Sequence, residues 1–377
     1  MQLKPFLLDI WLDTYEHDIE FNLAASEGPR WSLNDILSLA SEEERQRFLN
    51  HDLHYSRPAG SDGLRAAIAD MQGVTVDAVQ VVTGASEALL ILFWLAAEAG
   101  ANVVLPQPGY PPFSALPESL RIETRFYSVR KENDFRFDVD EIKRLVDRNT
   151  KFILINSPHN PTCATISDAE LDSLHEFAAS RETQLVSDEV YHPIYHGQAS
   201  RSASRLPHAT VIHDFSKAFP LSGVRTGWMI EHDAKRRELY WNARTIFSIS
   251  NNTAGEMLAE IAMRHRNVVL GKTQQTATQN LRHLASFMSE YRDTLGWIPP
   301  RGGVTAFPWL RSGESSRAFC QAAAEQGILL APGDCWDAPS HFRLGFAAVT
   351  DKFPEALDRL GEFVKSRSAR NLTKAAS

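Results

Sequence analysis

The chain has 377 residues, 43 % apolar and 23 % charged, enough for a large buried core divided between two subdomains. Its net charge of −8, with no basic run to offset it, argues against nucleic acid as the main partner, because phosphate binding needs clustered cations. Three cysteines, Cys163, Cys320 and Cys335, form neither a disulfide framework nor a zinc spacing and fit a reducing compartment.

Residues 5–8 are apolar, but Asp9 and Asp13 follow at once, so the start is too short for a signal peptide or a membrane span. A cytoplasmic location without membrane contact is the expectation. From about residue 73 to 230, short apolar runs recur with amphipathic stretches between them. The runs at 79–82, 103–105, 152–155, 185–186, 211–212 and 228–230 predict strands buried on both faces of a mostly parallel sheet. Helices are predicted over 87–98, 139–146, 168–180 and 252–264, the first holding the longest apolar run, 88–97. After about residue 270 the texture changes. A long helical pattern at 272–295 leads to short strand-like pieces at 304–309 and 342–346 and a last helix near 354–366. The tail, 366–377, has little to bury and is expected to fray. The fold class is therefore α/β: a mostly parallel central sheet with helices on both faces, plus a smaller α+β lobe.

Chemically capable residues follow the apolar runs almost every time. Thr83-Gly84-Ala85-Ser86 follows the first, Tyr110 the second, and His159-Asn160 the third. Asp188 and Tyr191 follow the fourth, and Ser216-Lys217 the fifth. In open α/β sheets ligands bind outside the carboxyl ends of the strands, so these five sets are expected to face one cleft. Together they offer an amine, a carboxylate, a phenol, an amide and a glycine-bearing loop at a helix start. Those are the groups that pyridoxal phosphate (PLP) requires. A lysine amine forms an imine with its aldehyde, and a carboxylate beside the pyridine nitrogen makes the ring an electron sink. An aromatic face can stack on that ring, while helix N-terminal amides and an arginine hold the phosphate.

Ser216-Lys217 followed by Gly223-Val224-Arg225-Thr226-Gly227-Trp228 resembles the lysine motif of the fold-type I, class I/II aminotransferases. The resemblance runs from about Tyr55 to Arg343. It implies that Lys217 carries the cofactor as an imine and that Arg225, with Ser216, belongs to the cofactor site. Pro158-His159-Asn160-Pro161-Thr162 is similar to the family's Asn-Pro turn, which makes Asn160 a donor to the ring oxygen and a substrate neighbour. Asp188-Glu189-Val190-Tyr191 resembles its Asp-x-x-Tyr element, with Asp188 on the pyridinium and Tyr191 on the ring oxygen. Gly84, Ala85 and Ser86 match the phosphate loop, and Tyr110, in Pro108-Gly109-Tyr110-Pro111, matches the stacking aromatic. Tyr55 resembles the tyrosine that crosses a homodimer to the neighbouring phosphate. Arg343, in His341-Phe342-Arg343-Leu344, resembles the arginine that grips the substrate α-carboxylate. The family also implies a large domain over 50–270 and a small one over 1–49 and 271–377.

Three positions depart from the pattern. Asp214 stands three residues before the lysine, where the family has Ser or Thr. A carboxylate about 4 Å from a phosphate is repelled by ~1–4 kcal/mol per charge pair, so either Asp214 points away, or it bonds a neighbouring donor, or cofactor affinity is lower. Cys163 replaces a glycine and, if its φ is positive, costs ~1 kcal/mol. The segment Ala24-Ala25-Ser26-Glu27-Gly28-Pro29 fits the substrate-side loop only loosely. Arg244 has two readings, one facing a partner's site and one on the surface. No metal is expected: Pro193 breaks the helical spacing of His192 and His196, and Asp334 and Asp337 lack an oxygen-rich ligand series.

The implied activity is transfer of an amino group between an amino acid and a 2-keto acid. One rival is a PLP lyase or cyclase on the same fold, because the Trp11 segment and the His-Asn-Pro turn loosely resemble capreomycidine-synthase-like members. The other is a non-catalytic PLP-binding module. Regulators of this fold carry a DNA-binding domain ahead of it, and the roughly 50 residues before Tyr55 hold no basic helix pair.

Overall fold

The computed structural model of the chain describes residues 3–375. Its centre is a seven-stranded sheet of β1 (Val79–Val82), β2 (Asn102–Gln107), β3 (Glu123–Ser128), β4 (Thr150–Asn156), β5 (Gln184–Asp188), β6 (Ala209–Asp214) and β7 (Gly227–Ile230). The order across the sheet is β1-β7-β6-β5-β4-β2-β3. Neighbours from β6 to β3 are parallel, whereas β7 is antiparallel to both β1 and β6. That reversal matters for the site. Gly227, the first residue of β7, pairs with Val82 and with Asp214, the last residues of β1 and β6. The segment leading into β7, which carries Arg225, is thereby delivered to the edge where its neighbours end.

The apolar runs exist because both faces of these strands are covered: every residue of β1, β6 and β7 is buried. The edge strand β3 escapes sequence reading for the opposite reason. Its residues, Glu-Thr-Arg-Phe-Tyr-Ser, are buried only at Tyr127 and carry no apolar run.

Helix Ala85–Ala96 lies where the longest apolar run predicts a buried helix, with Leu89, Ile91, Leu92 and Phe93 inside and the Phe93 ring 5.3 Å from that of Phe152. Helix Asp168–Ser180 begins at a capping box in which Ser167 and Glu170 satisfy each other's backbone N–H groups. Helices Leu33–Leu39 and Glu42–Leu49 bury one residue and none, too little for an apolar period, yet both open with capping boxes, at Ser32/Asp35 and Ser41/Glu44. Those boxes are the sequence signal that could have found them.

In the smaller lobe, Phe342–Gly345 is the middle strand of three, with Thr305–Ala306 and Ala331–Pro332 antiparallel on its two sides. The N-terminal segment joins this lobe. Phe21–Asn22 pairs parallel with Ile328–Leu329, and the Trp11 indole, on helix Leu7–Tyr15, donates to Leu330 O at 2.8 Å. Leu23–Ala25 then crosses Gly345 so closely that a Cβ there would stand 1.8 Å from Ala25 O. Helix Phe353–Ala375 continues through most of the tail expected to fray, and the Arg367 guanidinium reaches Glu314 at 2.8 Å. Only 376–377 of that tail lie outside the described residues. Among the described residues no helix is long and apolar enough to cross a membrane.

Candidate active site

Lys217 stands three residues past the end of β6, and its Nζ donates to Ser26 Oγ at 3.0 Å. Its main chain is tied to the same loop, because Gly28 N donates to Lys217 O at 3.3 Å. Burial lowers the amine pKa, Asp214 opposes that shift, and Arg343 and Arg225 reinforce it. A lysine held this way exposes more of its neutral, nucleophilic form than a surface lysine does.

Asp188 closes β5 and is 3 % exposed. Its Oδ1 accepts from Val190 N at 3.3 Å. Burial pushes its pKa up to about 7, with help from Asp214 and Glu189 and against the pull of Lys217. A carboxylate so placed is charge-starved and would be stabilised by a cation set against it. Tyr191 is fully buried, and its Oη has no hydrogen-bond partner among the described residues. Burial raises its pKa, while Arg343 and Ser26 oppose the rise. Asn160 is anchored by its backbone N–H, which donates to Asn156 Oδ1 at 2.7 Å, and its Oδ1 accepts from Arg343 Nη1 at 3.3 Å.

The other end of the cluster is built for an anion. Gly84 has φ +75° and opens helix Ala85–Ala96, and a Cβ at Gly84 would stand 3.0 Å from Arg225 Nη2. Glycine therefore lets the helix start approach the guanidinium. Arg225 itself has φ +51° and donates from Nη1 to Ser222 O at 3.0 Å. The Ser86 hydroxyl lies against the Tyr110 phenol, whose pKa is pushed up to about 12 by burial and by the nearby charges of Asp9, Asp214 and Asp188. Asp214 does not turn away from this end. Its Oδ1 accepts from Ser216 N at 2.9 Å and its Oδ2 from Ala85 N at 3.4 Å.

Arg343 sits on the middle strand of the smaller lobe and is 2 % exposed. Its Nη2 donates to Ala24 O at 2.8 Å, and its guanidinium lies 4.8 Å from the Trp336 ring. Its Nε is buried and has no partner among the described residues. Ser26 and Ala24 thus make the loosely matched N-terminal loop a full wall of the cleft. Asp9 is a further member that sequence reading missed. It lies close enough to Lys217, Arg343 and Tyr110 for their charges to interact. With Ser86, Tyr110, Cys335, Trp336 and Asp337 it lines a cavity of about 690 Å³. No local signal marks Asp9, and only the loose match of residues 24–29 marks Ser26, because both arrive through pairing of the N-terminal segment with the smaller lobe.

Two residues do not join the cluster. Tyr55 is 79 % exposed, in a surface depression with His51, Arg57 and Glu256 whose lining includes none of the residues around Lys217. Arg244 is neither on the surface nor facing outward. It is fully buried, with Nε donating to Val81 O at 2.8 Å and Nη2 bonded to Asn251, because helix Ala234–Phe247 packs this face onto β1 and Glu87 and Glu256 supply countercharge. Cys163 has φ +53°, the strained case anticipated for a residue replacing glycine. Its thiol lies 3.1 Å from Thr305 Oγ1 and fills the space before Gly303, where a Cβ would stand 2.7 Å from the sulfur. The two histidines with helical spacing are engaged locally: His192 Nδ1 lies 3.0 Å from Tyr195 Oη, and His196 Nε2 lies 2.8 Å from Gly303 O. Arg317 donates to both Asp334 oxygens.

PLP fits this donor set. A buried amine, a carboxylate short of a cation, an unpartnered phenol and a helix start beside an arginine correspond to its aldehyde, ring nitrogen, ring oxygen and phosphate.

Comparison with known proteins agrees. The family model described as aminotransferase class I and II matches residues 21–360. The chain is 26 % identical to the valine–pyruvate aminotransferase of Mycobacterium tuberculosis, over 97 % of each chain. It is 24 % identical to the capreomycidine synthase of Streptomyces vinaceus, over 94 % of this chain and 92 % of that one. Among solved structures, the PLP-dependent cyclase OrfR superposes with a TM-score of 0.88 at 27 % identity, covering 97 % of this chain and 98 % of the other.

Proposed function

The chain belongs to the class I and II aminotransferases, a family of PLP-dependent enzymes, and on that footing we propose that it moves an amino group between an amino acid and a 2-keto acid. The observation that carries the reading is the buried Lys217 amine, its pKa lowered, beside a buried Asp188 whose pKa is pushed up to about 7. When bound, PLP supplies an aldehyde and an electron-accepting ring. Lys217 Nζ would hold the cofactor and, once released from it, would be the base that accepts the proton from the substrate α-carbon. Asp188 matches the positive charge at the ring nitrogen, and the Asn160 amide and Tyr191 Oη offer donors to the ring oxygen. Arg225, Ser216, Ser86 and the Ala85 N–H would hold the phosphate end, with Gly84 permitting close backbone approach, and Tyr110 would cover the ring. Arg343, steered by Ala24 and Asn160, has Nε free for the substrate α-carboxylate.

The proposal includes a homodimer in which Tyr55 of each subunit completes the phosphate site of the other. Leu53 and Tyr55 are 81 % and 79 % exposed in the single chain, which leaves both side chains free to meet a partner subunit.

A second reading is elimination or cyclisation, favoured by the likeness to a synthase and to a cyclase. Incubation of the PLP-loaded enzyme with a panel of amino acids separates the two. Accumulation of pyridoxamine phosphate with a keto acid supports transfer. Ammonia or a ring product without pyridoxamine phosphate supports the rival. Absence of an absorbance band after PLP loading overturns both.

A further inference from the structure

The cofactor reading leaves Asp214 unexplained, and its hydrogen bonds suggest what it does. We propose that Asp214 is a built-in occupant of the phosphate end, capping the helix start in the cofactor-free chain and competing with the incoming phosphate. The idea rests on the PLP reading above and concerns how firmly the cofactor is held.

Asp214 is 6 % exposed, and its two carboxylate oxygens divide their work. Oδ1 is fixed by Ser216 N at 2.9 Å, inside its own turn. Oδ2 reaches across to Ala85 N at 3.4 Å, 129 residues away in sequence. Ala85 is the first residue of helix Ala85–Ala96, and Gly84 before it makes no side-chain cap. A helix start leaves backbone N–H groups without partners inside the helix and carries partial positive charge, so it favours an anion. In this chain the anion is a side chain from β6. The same N–H, beside Gly84 and Arg225, is what the sequence assigns to the phosphate of PLP.

Two consequences follow. Without cofactor, Asp214 satisfies the helix start and offsets part of the charge of Lys217. When the phosphate dianion arrives, the Ala85 N–H has to be surrendered, and the carboxylate is left beside a like charge. Ser or Thr at this position would donate a hydroxyl instead, so the aspartate exchanges cofactor affinity for a better-ordered empty site. Cofactor bound in this way leaves more readily than it would from a serine-bearing site.

The test uses the full-length chain stripped of cofactor, as wild type, Asp214→Ser and Asp214→Asn. PLP affinity is read by absorbance titration, and thermal unfolding of the cofactor-free chains is followed with and without inorganic phosphate. Asp214→Ser is expected to bind PLP at least about tenfold more tightly than wild type, a gain of ~1.4 kcal/mol, with Asp214→Asn between them. Cofactor-free Asp214→Ser is expected to melt earlier, and inorganic phosphate is expected to restore it more than it stabilises wild type. The proposal is overturned if the serine and asparagine variants bind PLP no more tightly than wild type, or if phosphate stabilises wild type equally. A chain that takes up no PLP in any variant overturns the function proposed above. The phosphate measurement needs no cofactor and still decides the role of Asp214.

Discussion

At the carboxyl edge of the sheet, Gly84, Tyr110, Asn160, Asp188, Tyr191 and Lys217 all lie within four residues of a strand end. The opposite wall of the cleft is assembled differently. Arg343 meets Ala24 across 319 residues of sequence, and Lys217 meets Ser26 across 191. The sheet edge is positioned by strand pairing that the apolar core enforces. The N-terminal wall is positioned by one loop crossing Gly345 and by a two-residue parallel pairing. The first region should tolerate little chemical change without losing the reaction, and the second should govern which substrate is held and how well.

The largest expected effect tests the sheet edge at its centre. Lys217→Ala should remove the absorbance band of amine-held PLP and lower turnover by about 10³-fold or more, leaving the far-ultraviolet circular dichroism unchanged. Asp188→Asn should follow, with a loss of about 10²–10³-fold in turnover measured under saturating PLP. It also has a pH signature. An unfolded Asp188 ionises near 3.8 and the folded, cofactor-free one near 7. Between those values the folded chain holds the extra proton, so the contribution of Asp188 to stability is present at low pH and is lost as pH rises through about 7. The cofactor-free wild type should therefore lose a few kcal/mol more than Asp188→Asn between pH 4 and pH 8 in denaturant unfolding, because the folding equilibrium weakens by roughly a factor of ten for each pH interval of one across that range. Bound PLP should flatten the difference. Equal pH dependence of the two cofactor-free chains would show that Asp188 is not short of countercharge.

On the opposite wall, Arg343→Lys is expected to act mainly through substrate binding. A lysine cannot reproduce two parallel N–H donors or the stacking on Trp336, so kcat/KM should fall about 10²-fold, chiefly by a raised KM. A fall confined to kcat would move Arg343 from substrate binding to the chemistry itself.

The same division explains what the sequence could disclose. Strands buried on both faces write themselves as apolar runs, so six of the seven strands, and the site residues just beyond them, can be placed from periodicity alone. The missing strand, β3, is an edge with one buried residue, and nothing in its polar sequence distinguishes it from a loop. Asp9 carries no motif and Ser26 only a loose one, and their importance comes from where Trp11 and Phe21–Asn22 dock. Arg244 shows the converse error. An arginine read as exposed or partner-facing is sealed in the core, where Val81 O and Asn251 take its Nε and Nη2, two glutamates supply countercharge, and Nη1 has no partner among the described residues. Asp214 is marked in the sequence by standing where the family has Ser or Thr, but its bond to Ala85 N is not legible locally, since that helix begins 129 residues earlier.

The smallest expected effect is the sharpest probe of the contrast, because Ser26 belongs to the N-terminal wall yet touches the amine of the sheet edge. Its Oγ accepts from Lys217 Nζ at 3.0 Å, and the side chain is 9 % exposed. Ser26→Ala removes one acceptor and one small polar group, a change of ~1 kcal/mol, so kcat should fall about five- to tenfold. The absorbance band should persist, because Lys217 keeps its backbone tie to Gly28 and its place after β6. PLP affinity, set at the other end of the cluster, should change by less than about twofold. A loss as large as that of Lys217→Ala would mean that the loop, not the strand, positions the amine, and the division between a chemical edge and a binding wall would collapse.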